Sequence, residues 1–213
     1  MANAPRTSAR DRYAALFSES RPSERLQFFS DAVFAIAMTL LVLDIHLPDI
    51  DRTQLADALR DLQPEFFAYA LSFVVIAASW MSHHRRFEII ERVDTRLIQL
   101  NLALLFVIAF LPFPTSVLSE YGTTTPAVVL YGSTVAALGI VQLLTWSYVN
   151  SHGLFTHPID QGAYRFARRG MLVNPVVFGV SIVIALLGWP TVALYSWLAL
   201  LPVSFIVERL RLD

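Results

Sequence analysis

Six apolar stretches dominate the sequence, each long enough or nearly long enough to cross a hydrocarbon layer of about 30 Å. They lie at 27–47, 63–84, 97–118, 125–149, 171–188 and 190–208. A chain in lipid has no water to satisfy its peptide groups, so segments of this length are read as helices. The expected fold is all-α: a polytopic membrane protein with six transmembrane helices. Composition agrees, with 55% hydrophobic and 15% charged residues, whereas soluble domains carry roughly 45–50% and about 25%. The formal net charge of −1 gives no reason to expect a nucleic acid partner. The chain has no cysteine, which excludes disulfides, thiolate metal ligands and thiol nucleophiles. Residues 1–25 are polar and the apolar run after them is too long for a signal peptide, so it is expected to remain as an anchor.

The basic residues, all arginines, set an orientation. With the N-terminus inside, inner segments hold Arg6, Arg10, Arg12, Arg21, Arg25, Arg85, Arg86, Arg92, Arg96, Arg165, Arg168, Arg169, Arg209 and Arg211. The outer loops hold only Arg52 and Arg60. A bias of 14 to 2 places both termini in the cytoplasm, and an odd number of spans would spoil the alternation. The domain layout is then a cytoplasmic segment 1–24, a membrane domain 25–208 and a cytoplasmic tail 209–213. The outer loop 48–62 reads as a short amphipathic surface segment. The inner loop 151–170, with His152, His157 and Asp160, reads as mobile. Gly188, Trp189 and Pro190 predict a tight hairpin between the last two spans. Pro112 and Pro114 predict a kink or end in the third, because each lacks a backbone donor, and an end at the outer interface is the favoured reading. Tyr121, Tyr131, Trp146, Tyr148, Trp189 and Trp197 fit, in part, the aromatic belts of a membrane interface.

The first span, RLQFFSDAVFAIAMTLLVLDIHLP, carries the most specific chemistry. Arg25, Ser30 and Asp31 sit at or just inside its cytoplasmic end. A carboxylate in hydrocarbon is costly and needs a partner. Arg25 lies six positions before Asp31 and is poorly placed to meet it on one helix face. Partners are therefore expected on neighbouring helices, and Trp80, His84 and Asn101 are the candidates. Such bonds are worth only about 0.6–2 kcal/mol each in a membrane, so several must act together to fix the helix's rotation.

Arg25, Phe29, Ser30 and Asp31 spell RxxxFSD. Trp80, His83, His84, Arg85 and Phe87 read WxxHHRxF, and Leu100–Asn101 with Leu111–Ser116 read LN…LPFPTS. In this order the motifs resemble the transmembrane protein 175 family, the potassium channels of lysosomes and their bacterial relatives. The resemblance covers roughly the first 118 residues by motif and the rest only by hydropathy. It implies a homotetramer of six-helix subunits in a bacterial plasma membrane, with the first helix of each subunit lining a central pore. It also implies a constriction of aliphatic rings at Ile36, Leu40 and Leu43, with Thr39 at a hydroxyl position linked to ion selectivity. The permeant ion would be K+, with no cofactor.

Residue spacing is compatible with that picture. Ile36, Thr39, Leu40 and Leu43 follow the i, i+3, i+4, i+7 pattern of one helix face. Stacked apolar rings gate by dewetting. Asp44, near the outer end of that face, would form a carboxylate ring that concentrates cations. Without the resemblance, an aliphatic stripe is ordinarily a lipid-facing or packing surface, and Thr39 ordinarily bonds its own helix.

His83 and His84 are adjacent and point about 100° apart, so they do not form the i, i+4 pair of a helical zinc site. No metal site is expected. The chain has no GxSxG, P-loop or HExxH pattern, and Ser30 beside Asp31 lacks relay geometry. An enzyme is not expected. The leading expectation is a potassium-preferring channel. The alternatives are a secondary transporter, disfavoured by the lack of a visible inverted repeat, and a non-conducting membrane protein.

Overall fold

The computed structural model describes residues 22–197. α1, Pro22–Leu40, continues into a 3-10 turn, Leu41–Asp44. A short surface segment follows, made of a second 3-10 turn, Arg52–Gln54, and α2, Leu55–Asp61. The remaining helices are α3, Gln63–Phe87; α4, Thr95–Phe110; α5, Pro112–Tyr121; α6, Thr125–Ser151; α7, Gln161–Leu186; and α8, Pro190–Ser196. Among the described residues there is no strand, only an isolated bridge between Ile90 and Phe155. Five stretches are long and apolar enough to cross a membrane: Ser23–Asp44, Gln63–Phe87, Thr95–Tyr121, Thr125–Ser151 and Gln161–Leu186. Of the expected sixth span, 190–208, only the short helix α8 is described, and the part from residue 198 lies outside the described residues.

Local chemistry explains the boundaries. Asp94 caps α4, accepting a bond from the Leu97 amide at 2.8 Å. Asp160 caps α7 through the amides of Gly162 and Ala163, at 2.7 and 3.3 Å. That cap starts α7 ten residues before the expected 171, so the second half of the inner loop is helix rather than a mobile connector. At 1.5 Å per residue, the 26-residue helix is about 39 Å long and overreaches the hydrocarbon layer. Its first turns carry the exposed Arg165, Arg168 and Arg169. Gly188, at φ 92°, makes the left-handed turn into α8, and Pro190 occupies the first turn, where a missing donor costs nothing.

The third span is interrupted but not ended by its prolines. At Leu111 the amide bonds back to Ile108 at 3.2 Å in a 3-10 pattern, and Pro112 opens α5. A buried hydroxyl chain braces the break. Thr115 Oγ1 gives its proton to Leu111 O at 2.8 Å, so it accepts from Ser72 Oγ at 2.8 Å. Ser72 in turn accepts from the Tyr131 hydroxyl at 3.1 Å. Three helices are thus joined beside the break.

One apolar core runs the length of the bundle, built from Phe34, Leu41, Ile76, Ile108, Leu111, Tyr131, Val135, Phe178 and Trp197. Tyr131, Trp146 and Trp197 are buried, so they belong to packing and not to an interfacial belt; Tyr121 and Trp189 are exposed. α6 and α7 form the most extensive helix pair. Their close approach is set by Gly139, where an added Cβ would lie 2.7 Å from Pro175 Cδ.

A second apolar cluster, Phe87, Ile90, Leu97, Val149 and Leu154, closes one end. Here the connectors 88–94 and 152–160 pair through Glu91 N to Leu154 O at 3.0 Å and Thr156 N to Ile89 O at 2.9 Å. Arg92 adds a bond to Gly153 O at 2.7 Å. Trp146 stacks on Tyr164 at 6.1 Å and meets Phe155 edge-on at 5.2 Å, docking the start of α7 on the end of α6. Both connectors therefore lie on the same side of the bundle.

Candidate functional site: the first helix and its polar anchor

α1 has two faces. Ser30, Phe34, Ala37 and Leu41 are buried against the bundle, at the 3- and 4-residue spacing of one helical stripe. The opposite stripe, Ala32, Ala35, Ile36, Thr39, Leu40 and Leu43, is exposed. Ile36, Leu40 and Leu43 are 58%, 42% and 62% exposed. The four residues singled out on this helix are thus brought together on one open face. Thr39 Oγ1 donates to Ile36 O at 2.8 Å, and the residue is exposed. Asp44 is half-buried at the end of the 3-10 turn, and its carbonyl is bonded by a ring nitrogen of His46 at 3.0 Å.

A cluster of polar side chains joins α1 to its neighbours. Gln27, Ser30 and Asp31 occupy i, i+3 and i+4 and reach three different partners. Trp80 Nε1 donates to Asp31 Oδ1 at 2.8 Å. Asn101 Nδ2 donates to Ser30 Oγ at 2.9 Å, and Ser30 gives its own proton to Leu26 O at 2.8 Å. The Gln27 amide nitrogen lies 2.9 Å from His84 Nδ1. The expected partners Trp80 and Asn101 therefore do meet the FSD sequence. His84 serves Gln27 instead of Asp31, stacks on Trp80 at 5.4 Å and approaches Glu88 at 3.4 Å. Arg25 and Phe29 are exposed and stand apart from this cluster.

Two residues of the cluster are not among the partners expected from the sequence. His83, buried between Phe34 and Phe87 with ring separations of 5.5 and 4.2 Å, bonds Asn101 Oδ1 at 2.8 Å. Arg86, 9% exposed, donates to Ser82 O at 2.8 Å and to Gln142 O at 3.5 Å. Gln142 also bonds Ser79. The signal was the spacing: Ser72, Ile76, Ser79, His83 and Arg86 form the buried stripe of α3, which excludes His84 and Arg85 from it.

A bundle of helices long and apolar enough to span a bilayer defines a polytopic α-helical membrane protein. The family model for the endosomal/lysosomal potassium channel TMEM175 matches residues 25–112. A potassium channel of Streptomyces collinus is 38% identical over 188 residues, covering 84% of this chain and 90% of the relative. The chain belongs to the TMEM175 family. The endosomal/lysosomal proton channel TMEM175 of Danio rerio is 31% identical over 137 residues, covering 63% of this chain and 26% of that protein. The crystal structure of a lysosomal potassium-selective channel TMEM175 homologue from Chamaesiphon minutus superimposes with a TM-score of 0.76 at 28% identity, covering 85% of this chain and 95% of that one.

Proposed function

We propose that this protein is a potassium-preferring cation channel of a bacterial plasma membrane. Four copies would place α1 around a central axis, with six spans per subunit and both termini cytoplasmic. In this reading Ile36, Leu40 and Leu43 form stacked aliphatic rings that hold the pore closed by excluding water. Thr39 offers hydroxyl oxygens to a partly dehydrated ion, and Asp44 gathers cations at the outer mouth. Gln27, Ser30 and Asp31, held by His84, Trp80 and Asn101, position α1 and do not themselves touch the ion.

The observation that carries this reading is the uncovered stripe of α1. It holds aliphatic residues and one hydroxyl, and it lies opposite a face bound to the bundle by three side-chain hydrogen bonds. A secondary transporter would instead place ionisable groups near the midplane on interrupted helices. The ionisable contacts of α1 lie at its inner end, with Asp44 at the other.

The test is flux from potassium-loaded liposomes containing the purified protein, repeated with sodium and with Ile36→Asn. Potassium flux above sodium flux, raised by Ile36→Asn, is the expected result. Folded protein that passes neither ion, in native and variant form alike, refutes the channel.

A second reading concerns the proton, because the Danio rerio relative is named a proton channel. A pore without a cage of carbonyls would also pass protons along transient water. Acidification of the liposome lumen under a pH gradient without potassium separates the two. A proton current that Ile36→Asn leaves unchanged would mean a route other than the α1 rings.

A further inference from the structure

We propose that a single buried water molecule bridges Arg86 and His83 and completes the hydrogen-bond chain that ends on α1. The inference starts from proton bookkeeping, and it is independent of whether the protein conducts. The only proton of the Ser30 hydroxyl goes to Leu26 O, a pure acceptor, at 2.8 Å. Ser30 Oγ must therefore accept from Asn101, which turns the amide nitrogen of Asn101 toward it at 2.9 Å. Asn101 Oδ1 then faces His83 Nε2 at 2.8 Å, so Nε2 carries the hydrogen. In a neutral imidazole this leaves a lone pair on Nδ1.

That Nδ1 is fully buried and, among the described residues, no group donates to it. One helical turn away, Arg86 Nη2 is equally buried and, among the described residues, no group accepts from it. The rest of the guanidinium is partly served, by Ser82 O, Gln142 O and, at 3.8 Å, Met171 sulfur. Among the described residues no carboxylate pairs with Arg86. An orphaned donor and an orphaned acceptor at such depth would each cost about 1–3 kcal/mol.

His83, Arg86, Asn101, Gln142, Thr145 and Trp146 line one small cavity of about 10 Å³. That is close to the lower limit for one water, roughly 10–15 Å³. The cavity asks for a molecule that accepts from Arg86 Nη2 and donates to His83 Nδ1. Thr145 supplies a third contact. Its hydroxyl proton goes to Val141 O at 2.8 Å, so Oγ1 keeps lone pairs for the water's second hydrogen. Three partners are typical of a buried water. A halide meets the guanidinium but cannot donate to Nδ1, and it is larger than the space. The occupant is therefore neutral, and its effect is structural. It links α6 and α7, through Arg86 and its contacts to Gln142 and Met171, to the His83–Asn101–Ser30 relay and so to α1.

The experiment is a crystal structure of the native protein from sodium bromide at neutral pH, at a resolution that places ordered waters. One oxygen-sized peak within hydrogen-bond distance of both Arg86 Nη2 and His83 Nδ1, without bromide anomalous signal, is expected. A bromide signal at that point, no peak, or a peak that reaches only one of the two atoms overturns the proposal. Nitrogen-15 spectra of histidine-labelled protein at neutral pH give an independent measurement. The His83 signal should show a protonated Nε2 and an unprotonated Nδ1. Protonation at Nδ1, as the other tautomer or as imidazolium, removes the acceptor and overturns the water.

Discussion

Replacing Asn101 by leucine removes the centre of the anchor at nearly constant volume. Asn101 is 1% exposed and makes two side-chain bonds, to Ser30 Oγ at 2.9 Å and to His83 Nε2 at 2.8 Å. Each bond within a membrane bundle is worth about 0.6–2 kcal/mol. The two together give roughly 1–4 kcal/mol, with about 2–3 kcal/mol the central expectation because a buried His83 donor is left unpaired. At about 1.4 kcal/mol per decade, the folding constant falls by roughly 30- to 150-fold. The measurement is reversible unfolding in mixed micelles, followed on the native tryptophans, for native protein, Asn101→Leu, Ser30→Ala and the double variant. Ser30 and Asn101 should couple by about 0.6–2 kcal/mol in that cycle. A loss below about 0.5 kcal/mol for Asn101→Leu, or strictly additive single effects, would refute the claim that these bonds hold α1.

Gly139→Ala should destabilise the α6–α7 pair by about 1–3 kcal/mol, because its Cβ would meet a rigid proline ring carbon at 2.7 Å; adding Pro175→Ala should recover part of the loss in the same unfolding assay. Asp94 lies outside the spans, and its carboxyl is held below the ordinary carboxylate range by bonds from the Leu97 amide and then the Tyr148 hydroxyl. Its stabilisation is therefore full above the unfolded value of about 3.9 and is lost as pH falls through the lower folded value. Native protein should exceed Asp94→Ala by about 0.5–2 kcal/mol at neutral pH, and the gap should close under strongly acidic conditions; a gap that does not change with pH would rule this out. Asp44→Asn should lower single-channel conductance at low ionic strength and much less at high salt, since screening shortens the reach of a charged ring; equal conductance at low salt would remove Asp44 from the outer mouth.

Much of this architecture was legible because hydropathy and helical spacing report on the strongest forces present. The five described spans stand out as apolar runs, and the need of Asp31 for a partner pointed to Trp80 on α3. What escaped were features that depend on the relative rotation of helices. His83 and His84 differ by one residue, yet one points into the bundle and the other to Gln27. Only the register of the whole buried stripe, from Ser72 to Arg86, decides between them. The early start of α7 escaped for a different reason. Arg165, Arg168 and Arg169 depress hydropathy there, while Asp160 acts through local capping that an apolar scan does not register. At Pro112 and Pro114 the break itself was legible. The hydroxyl chain beside it was not, because it needs Ser72 of α3 and Tyr131 of α6 to meet Thr115.

The distribution of bonds along α1 has a mechanical consequence for the proposed pore. Near its N-terminal end three side-chain bonds reach α3 and α4: Gln27 to His84, Ser30 to Asn101 and Asp31 to Trp80. Beyond Asp31 the buried face is held by shape alone, through Phe34, Ala37 and Leu41. Ile36, Leu40 and Leu43 lie in that half, so the anchor sets their direction through the rigidity of the helix. Side-chain atoms sit about 5 Å from a helix axis, and a 20° turn there displaces them by about 2 Å. In a ring of four such residues that shift is comparable to the radius of a water molecule, enough to change whether the constriction is wetted. Trp80→Phe keeps the ring packing but removes the donor to Asp31, and so frees part of this rotation without touching the pore face. It should change the open fraction in single-channel records and leave conductance of the open state intact. A variant with altered conductance and an unaltered open fraction would place Asp31 in the ion's path instead, and the anchor would no longer be a positioning device.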